Sequence, residues 1–304
     1  MVKMQTVWRK INLVSMRLSK KIRCSLVSFF QTYVGASLRE LRITDMDNDI
    51  LNHLNASCPH LRLLNLYSGD YSSCHFALLP SSLTSLIINQ DGVNSEKFYP
   101  HKWYTSFTQD HFPHLERLTI DQAPDANPAI TQIATLKTIR RLEVWSLRDA
   151  FSSTAFTALM GMTDLEGLCL TGVDELPDNF AKEIVRNLRK LKQLSLIWLD
   201  HILMGSHVKM LPQLPHLDTL MLCSTSERGV MEALLEVIPS MPRLKRVEFD
   251  DDNHFEEPPP PKDFTDILAD LMKCRPDVSF YFRGVECDGN LEYLKSCHFS
   301  PYDE

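Results

Sequence analysis

Apolar residues recur along this chain at spacings of three and then two. In CPHLRLLNL (58–66), Leu61, Leu64 and Leu66 carry this pattern. An amphipathic helix places apolar residues three and four apart, and a half-buried strand places them two apart. The mixed spacing therefore predicts a stretch of irregular chain that leads into a short strand.

The pattern occurs nine times, and its first positions are 22 to 27 residues apart except for one interval of 32. The copies are Leu38, Leu41, Ile43; Leu61, Leu64, Leu66; Leu83, Leu86, Ile88; Leu115, Leu118, Ile120; Ile139, Leu142, Val144; Leu165, Leu168, Leu170; Leu191, Leu194, Leu196; Leu217, Leu220, Leu222; and Leu244, Val247, Phe249. Leucine-rich repeats have this LxxLxL template and a period of roughly 20–29 residues. A degenerate first copy is expected at Trp8, Ile11 and Leu13, and a closing strand in DVSFYF (277–282).

Helical patterns separate several of these predicted strands. Segments 178–191, 227–238 and 263–274 each carry an apolar stripe at helical period. Asp178 and Asp263 stand where N-caps are expected. A strand and a helix in each repeat predict an α/β fold: a leucine-rich-repeat solenoid, shaped as a curved horseshoe with a parallel β-sheet on its concave face and helices on its convex face.

Proline marks the point where one helix ends and the next strand approaches. Pro59, Pro113, Pro215 and Pro242 all precede a repeat leucine by two residues. Proline lacks the N–H that another helical turn would use. Cys58, just before Pro59, is therefore expected to be a small buried apolar residue and not a catalytic thiol.

The repeats are predicted to fill residues 36–276, with insertions at 93–112 and 250–262, and residues 277–304 are predicted to form a C-terminal cap and tail. The chain has 304 residues, of which 44% are hydrophobic, and no apolar run approaches the ~20 residues of a membrane span. The N-terminus lacks the apolar core of a secretory signal. The eight cysteines are dispersed without a CxxC pair, which favours reduced thiols in a cytoplasmic or nuclear protein.

The net charge of −7 argues against nucleic acid as a partner. The charge is uneven, because residues 1–24 hold seven Lys or Arg and no acid. A solvated basic helix face explains this best, and a partner-docking end or a nuclear-import signal in RLSKKIR (17–23) stays open.

Candidate chemistry is sparse. The sequence has no HExxH, G-x-S-x-G or P-loop motif. His201 and His207 with Asp200 could bind a metal, but a loop role is favoured because no further ligand joins them. EEPPPPK (256–262) has a P-x-x-P spacing, for which a solvated loop is again the better interpretation. No enzyme activity, cofactor or metal is expected.

Binding candidates come from the strand positions between the apolar residues, because side chains alternate across a strand and these should project from the concave face. The candidates for partner binding are Arg42, Tyr67, Asn89, Asp121, Glu143, Trp145, Ile197 and Met221. Tyr67, Trp145, Ile197 and Met221 are the expected anchors, since exposed apolar and aromatic side chains are typical contact hot spots.

The chain resembles the F-box/leucine-rich-repeat protein family. The resemblance lies in the Cys-Pro of ASCPHLRLLNL (56–66), in TVWRKINL (6–13) as the end of an F-box followed by a basic helix, and in LPSSLTSLIIN (79–89) and PHLERLTID (113–121). It implies that residues 1–35 hold an F-box remnant and a capping helix. Only seven residues precede Trp8, so most of the F-box is expected to be missing.

The resemblance implies a substrate-recognition subunit of an SCF-type (cullin-RING) E3 ubiquitin ligase that binds target proteins for proteasomal degradation. Its implied partners are a protein substrate, an F-box-binding adaptor and a cullin scaffold, with Trp8, Ile11 and Leu13 as the adaptor-side remnant. The alternative is a free-standing leucine-rich-repeat scaffold or inhibitor with no ligase link.

Overall fold

A computed structural model describes residues 9–14, 20–44, 46–67, 74–89, 102–122, 125–145, 151–173, 175–197, 205–222, 228–249, 262–282 and 285–287. The chain forms two compact units. Unit 1 comprises Met1–Leu147 and Ser152–Met162, and unit 2 comprises Arg148–Phe151 and Thr163–Glu304.

Unit 1 is built on six strands: β1 (Lys10–Leu13), β2 (Glu40–Ile43), β3 (Leu63–Tyr67), β4 (Ser85–Asn89), β5 (Arg117–Asp121) and β6 (Arg141–Trp145). Each strand pairs in parallel with the next one along the chain. The α-helices of this unit are α1 (Lys20–Phe29), α2 (Asn48–Ser57), α3 (Ala126–Ile133) and α4 (Ser153–Met160). Parallel neighbours joined by crossovers of this length are the arrangement that the repeat pattern predicts.

Unit 2 repeats the plan with β7 (Gly167–Thr171), β8 (Gln193–Ile197), β9 (Thr219–Leu222), β10 (Arg246–Phe249) and β11 (Ser279–Phe282). These strands are also parallel and follow chain order, and β12 (Val285–Glu286) pairs antiparallel with β11. The helices of this unit are α5 (Phe180–Asn187), α6 (Gly205–Val208), α7 (Arg228–Val237) and α8 (Lys262–Cys274). The closing strand predicted in 277–282 is confirmed as β11.

The repeated leucine positions form the core. All three apolar positions of all nine copies are at most 3% exposed. In unit 2, Ile184 of α5 and Val208 of α6 line one apolar crevice together with Leu194 of β8. The leucines therefore pack under the helices, and the predicted α/β leucine-rich-repeat solenoid is confirmed.

Backbone hydrogen bonds tie the start of each strand to the preceding repeat. The Arg62 carbonyl accepts from the N–H groups of Thr84 and Ser85, both at 2.9 Å, and the Glu116 carbonyl accepts from those of Arg140 and Arg141 at 2.8 and 2.9 Å. The carbonyl groups of residues 9, 39, 84, 166, 192 and 218 do the same for the repeats that follow them. This ladder sets one register for all the strands of a unit.

Several details of the helix prediction are wrong. Segment 178–191 is helical only over Phe180–Asn187, and the residue before it is Asn179, whose side chain caps nothing, so Asp178 is not the N-cap. Helix α8 begins at Lys262, which places Asp263 inside its first turn. Helix α2 ends at Ser57 before Pro59, as predicted.

Not every repeat has an α-helix in the part of the chain described. A 3₁₀ turn, Phe76–Leu78, lies between β3 and β4, and a second, Trp103–Ser106, lies between β4 and β5. The second turn belongs to the predicted insertion 93–112, where Trp103 is 2% exposed and packs edge-on against Phe107 with ring centroids 5.6 Å apart. The described end of that insertion is therefore part of the core, because its aromatic rings bury where a helix would otherwise pack.

Candidate protein-binding surface

The strand side chains that alternate with the buried leucines form the open face of the sheet. On β2, for example, Arg42 is exposed between Leu41 and Ile43, which are both 0% exposed. In unit 1 this face has three rows that cross the strands in register. The first row is Lys10, Glu40, Leu63, Ser85, Arg117 and Arg141; the middle row is Asn12, Arg42, Asn65, Ile87, Thr119 and Glu143; the end row is Tyr67, Asn89, Asp121 and Trp145.

The end row carries two aromatic side chains. Tyr67 is half-buried, and Trp145 is 37% exposed, which makes it one of two large apolar side chains exposed among the described residues. Tyr67 and Trp145 lie three strands apart, or roughly 14 Å at a strand separation of about 4.8 Å. The Gln122 N–H donates to the Trp145 carbonyl at 2.9 Å, which fixes the backbone where β6 ends.

The middle row is polar except at Ile87. The Thr119 hydroxyl donates to Glu143 Oε2 at 3.1 Å, and this hydrogen bond joins the open-face side chains of β5 and β6. Asn65 Oδ1 is buried and has no hydrogen-bond partner among the described residues. A buried acceptor usually has a partner. This unpaired acceptor lies beneath the open face, two residues before Tyr67 on β3.

Two predicted binding residues are not exposed. Ile197 is 8% exposed and Asp121 is 6% exposed, so the exposure expected of both is wrong. The left-handed turn at Gly172 (φ 63°) brings its N–H to the Ile197 carbonyl at 3.1 Å and closes the end of β8. The predicted binding roles of Ile197 and Asp121 stay predictions.

The other predicted residues lie on the open face as expected from their alternation. Arg42 is exposed, and Asn89, Glu143 and Met221 are half-buried. Met221 belongs to unit 2, where it stands in register with Glu248 of β10.

Beside Met221 lies a cluster that the sequence pattern did not single out. The Arg246 guanidinium stacks on the Tyr281 ring, 3.8 Å from its centroid, and donates to Glu248 Oε2 at 2.7 and 3.2 Å. Tyr281 occupies the position before the last apolar residue of SFYF (279–282), the same position that marks Met221. The alternation of side chains along this strand could have identified Tyr281 from the sequence.

Two of the three predicted adaptor-side residues lie in the first strand of the sheet. Ile11 and Leu13 are half-buried in β1, in register with Leu41 and Ile43 of β2. Trp8 lies outside the described residues. The described part of the remnant therefore continues the sheet.

The remaining candidate chemistry has little support from geometry. Cys58 is 0% exposed, and burial raises the pKa of its thiol to about 11, so it is not a thiolate nucleophile at neutral pH. Burial also lowers the pKa of His207, and the charge of Asp178 opposes that shift. His201, Asp200 and residues 256–261, which include the proline run, lie outside the described residues.

Neither a metal centre nor a membrane-spanning helix is found among the described residues. No group of three or more His, Cys, Asp and Glu side chains in this part of the chain could hold a metal ion. None of its helices combines the length and the apolar character that crossing a bilayer requires.

Comparison with known proteins gives only distant similarity. The chain is similar to a structural-genomics target from Bacteroides fragilis, with a TM-score of 0.45 and 15% identity over 90% of this chain and 70% of that one. It is also similar to human 5T4, a Wnt-activated inhibitory factor also called trophoblast glycoprotein, with a TM-score of 0.26 and 16% identity over 71% of this chain and 60% of that one. These scores are too low to inform function. No protein-family model and no curated protein matches the chain.

Proposed function

We propose that this chain is the substrate-recognition subunit of an SCF-type (cullin-RING) E3 ubiquitin ligase, acting in the cytoplasm or nucleus. It binds target proteins through the open face of its repeat sheet. The observation that supports this best is the end row of unit 1, where exposed Trp145 and half-buried Tyr67 flank polar residues. Aromatic anchors in a polar surface are the usual energetic centre of a protein interface, and solenoid repeats commonly present such surfaces.

In this role the chain performs no chemistry itself. It holds the target so that a lysine lies close to a loaded conjugating enzyme, which raises the effective concentration of the reacting groups. Support for the ligase link comes from the resemblance of TVWRKINL (6–13) to the end of an F-box.

The alternative is a free-standing repeat scaffold or inhibitor without a ligase link. One observation favours it: Ile11 and Leu13 pair with β2 as part of the sheet. Residues that complete the repeat stack have a sufficient structural reason to be apolar and need no adaptor to explain them.

The two functions separate in a capture experiment. A tagged form of the full chain is expressed in cells under proteasome inhibition, and the bound proteins are identified by mass spectrometry. The Tyr67→Ala/Trp145→Ala variant should lose the target proteins and keep the adaptor and cullin. Tyr33→Ala is the matched control, because Tyr33 is 59% exposed but lies on a helical turn, away from the strands.

Recovery of adaptor and cullin with the wild-type chain and with both variants supports the ligase receptor. Partners that depend on Trp145, recovered without any adaptor or cullin, would favour the scaffold instead. An unchanged set of partners in the double variant would contradict binding through the end row, whichever of the two functions holds.

A further inference from the structure

Two arginines stand side by side on the open face of unit 1 without an acidic partner. Arg117 of β5 and Arg141 of β6 are in register at the start of neighbouring parallel strands. Both side chains are half-buried. Within the described residues, neither guanidinium donates a hydrogen bond to, or forms an ion pair with, any other group.

This arrangement is unfavourable for the isolated chain. The guanidinium group keeps its charge at any accessible pH, and like charges opposite each other on neighbouring strands repel. Other cations at the first position of a strand are neutralised: Lys10 pairs with Glu40 at 2.8 Å, and Arg246 pairs with Glu248 at 2.7 Å. Arg117 and Arg141 depart from this pattern, and such departures tend to mark functional positions.

A third polar group joins the same row. Ser85 of β4 is in register with Arg117, is 9% exposed, and its hydroxyl has no hydrogen-bond partner among the described residues. Two neighbouring strands thus present guanidinium groups side by side on one face, next to this buried hydroxyl. Both guanidinium groups can donate hydrogen bonds, which is the chemistry that recognises an anionic oxygen.

We propose that Arg117 and Arg141 bind the carboxylate of an Asp or Glu side chain in an extended segment of the partner protein. This inference rests on the proposed function, since it takes the open face as the binding surface. Arginine suits the task because its planar fork donates two parallel hydrogen bonds to a carboxylate.

Local charge selects a carboxylate over a phosphate. Glu143 lies two residues beyond Arg141 on the same side of β6, about 7 Å along the strand. Two guanidinium groups and this carboxylate leave a formal local charge of +1. A singly charged carboxylate matches that charge, whereas a phosphate dianion exceeds it and meets repulsion from Glu143.

Trp145 sets the spacing of the partner segment. It stands four residues beyond Arg141 on the same side of β6, and so roughly 13 Å away at about 3.3 Å per residue. A segment that lies along β6 therefore places its acidic residue about four residues from an apolar side chain that contacts the Trp145 ring.

The test uses short peptides displayed as a random library and selected on the full chain at physiological ionic strength. Enriched peptides should carry Asp or Glu about four residues from an aromatic or aliphatic residue. One such peptide is then synthesised with Glu, Gln or phosphoserine at the acidic position. Arg117→Gln/Arg141→Gln should weaken binding of the Glu peptide about ten- to hundredfold, the range for hydrogen bonds to a charged group.

The matched control is Arg62→Gln/Lys137→Gln, which removes the same charge from two exposed residues of unit 1 outside its strands. This control should leave the affinity within about twofold, and the arginine variant should leave the affinity of the Gln peptide unchanged. A thermal melt of each variant checks that it is folded.

Three results would overturn the inference. The first is an enriched peptide whose affinity depends on Trp145 but not on the two arginines, which leaves the proposed binding face intact. The second is a phosphoserine peptide that binds more tightly than its Glu counterpart. The third is a selection that enriches no acidic peptide. The capture experiment described above tests the proposed function separately in every case.

Discussion

Arginine has opposite surroundings in two regions of this molecule. In unit 2, Arg275 follows α8 and is 9% exposed. Its guanidinium donates to the carbonyls of Ile238 and Met241 at 2.9 Å and of Leu244 at 3.1 Å, and to both carboxylate oxygens of Asp277 at 2.8 Å. In unit 1, Arg117 and Arg141 are half-buried without an acidic partner.

The two settings give the arginines different roles. Arg275 binds the carbonyls of the turn that ends the preceding repeat, so its charge serves the fold. Arg117 and Arg141 bind nothing within the described residues, so their charge contributes no such stabilisation and is available to a partner. Removing each kind of arginine should therefore change stability in opposite directions.

The largest loss in the free energy of unfolding is expected for a substitution in the repeat core. Leu194→Ala removes a side chain that is 1% exposed and leaves a cavity among the stacked repeats. We expect the free energy of unfolding to fall by about 2–5 kcal/mol. Urea unfolding followed by circular dichroism measures this loss. A loss below about 1 kcal/mol would mean that the repeats collapse around the cavity.

Arg275→Ala should come next, with a loss of about 2–4 kcal/mol, because three carbonyl groups lose a charged donor. Arg275→Lys should recover only part of the loss, since an ammonium group cannot reproduce the planar fork. The control is Arg243→Ala, an exposed arginine whose guanidinium contacts His216 at 2.7 Å. An equal loss in the two alanine variants would show that the hydrogen bonds of Arg275 contribute no more stability than the contact of an exposed arginine.

Most of the fold could be predicted because the repeated positions are apolar for a single reason. A leucine at each first, second and third position must be buried for neighbouring repeats to stack, so its spacing shows directly in the sequence. The strands were therefore predictable even at the degenerate copy Ile11 and Leu13. Helix ends were less predictable: the side chain of Asn179 makes no capping hydrogen bond at the start of α5, and α8 begins at Lys262, one residue before the expected cap Asp263.

The candidate site was predictable only in part. Alternation along a strand tells which residues leave the core, and this placed Trp145 and Arg42 on the open face. It does not tell what covers them, so the burial of Ile197 beside the turn at Gly172 was missed. Nor does it show which side chains meet: the stacking of Arg246 on Tyr281 depends on register between strands, which a single sequence does not display.

The arginine pair should respond in the opposite direction from Arg275. Arg117→Gln/Arg141→Gln relieves repulsion between neighbouring like charges and should raise the free energy of unfolding by about 0.2–1 kcal/mol. Lys10→Gln is the control, because it loses the contact with Glu40 and should lower the free energy by at most about 1 kcal/mol. A clear loss of stability in the arginine variant would show that the pair serves the fold, as Arg275 does.

The smallest effect concerns the acid side of the Arg275 contact. The hydrogen bonds from Arg275 hold the pKa of Asp277 below its ordinary value of 3.8. A carboxyl group that is more acidic in the folded chain stabilises it fully above that ordinary value, and the contribution disappears as the pH falls through the lower folded pKa. Asp277→Asn should therefore lose slightly less stability than the wild type between neutral and strongly acidic pH.

Urea midpoints across that range measure the difference, and Arg275→Ala should abolish it by returning the pKa of Asp277 toward its ordinary value. Identical pH profiles for the wild type and Asp277→Asn would mean that the three carbonyls alone hold Arg275.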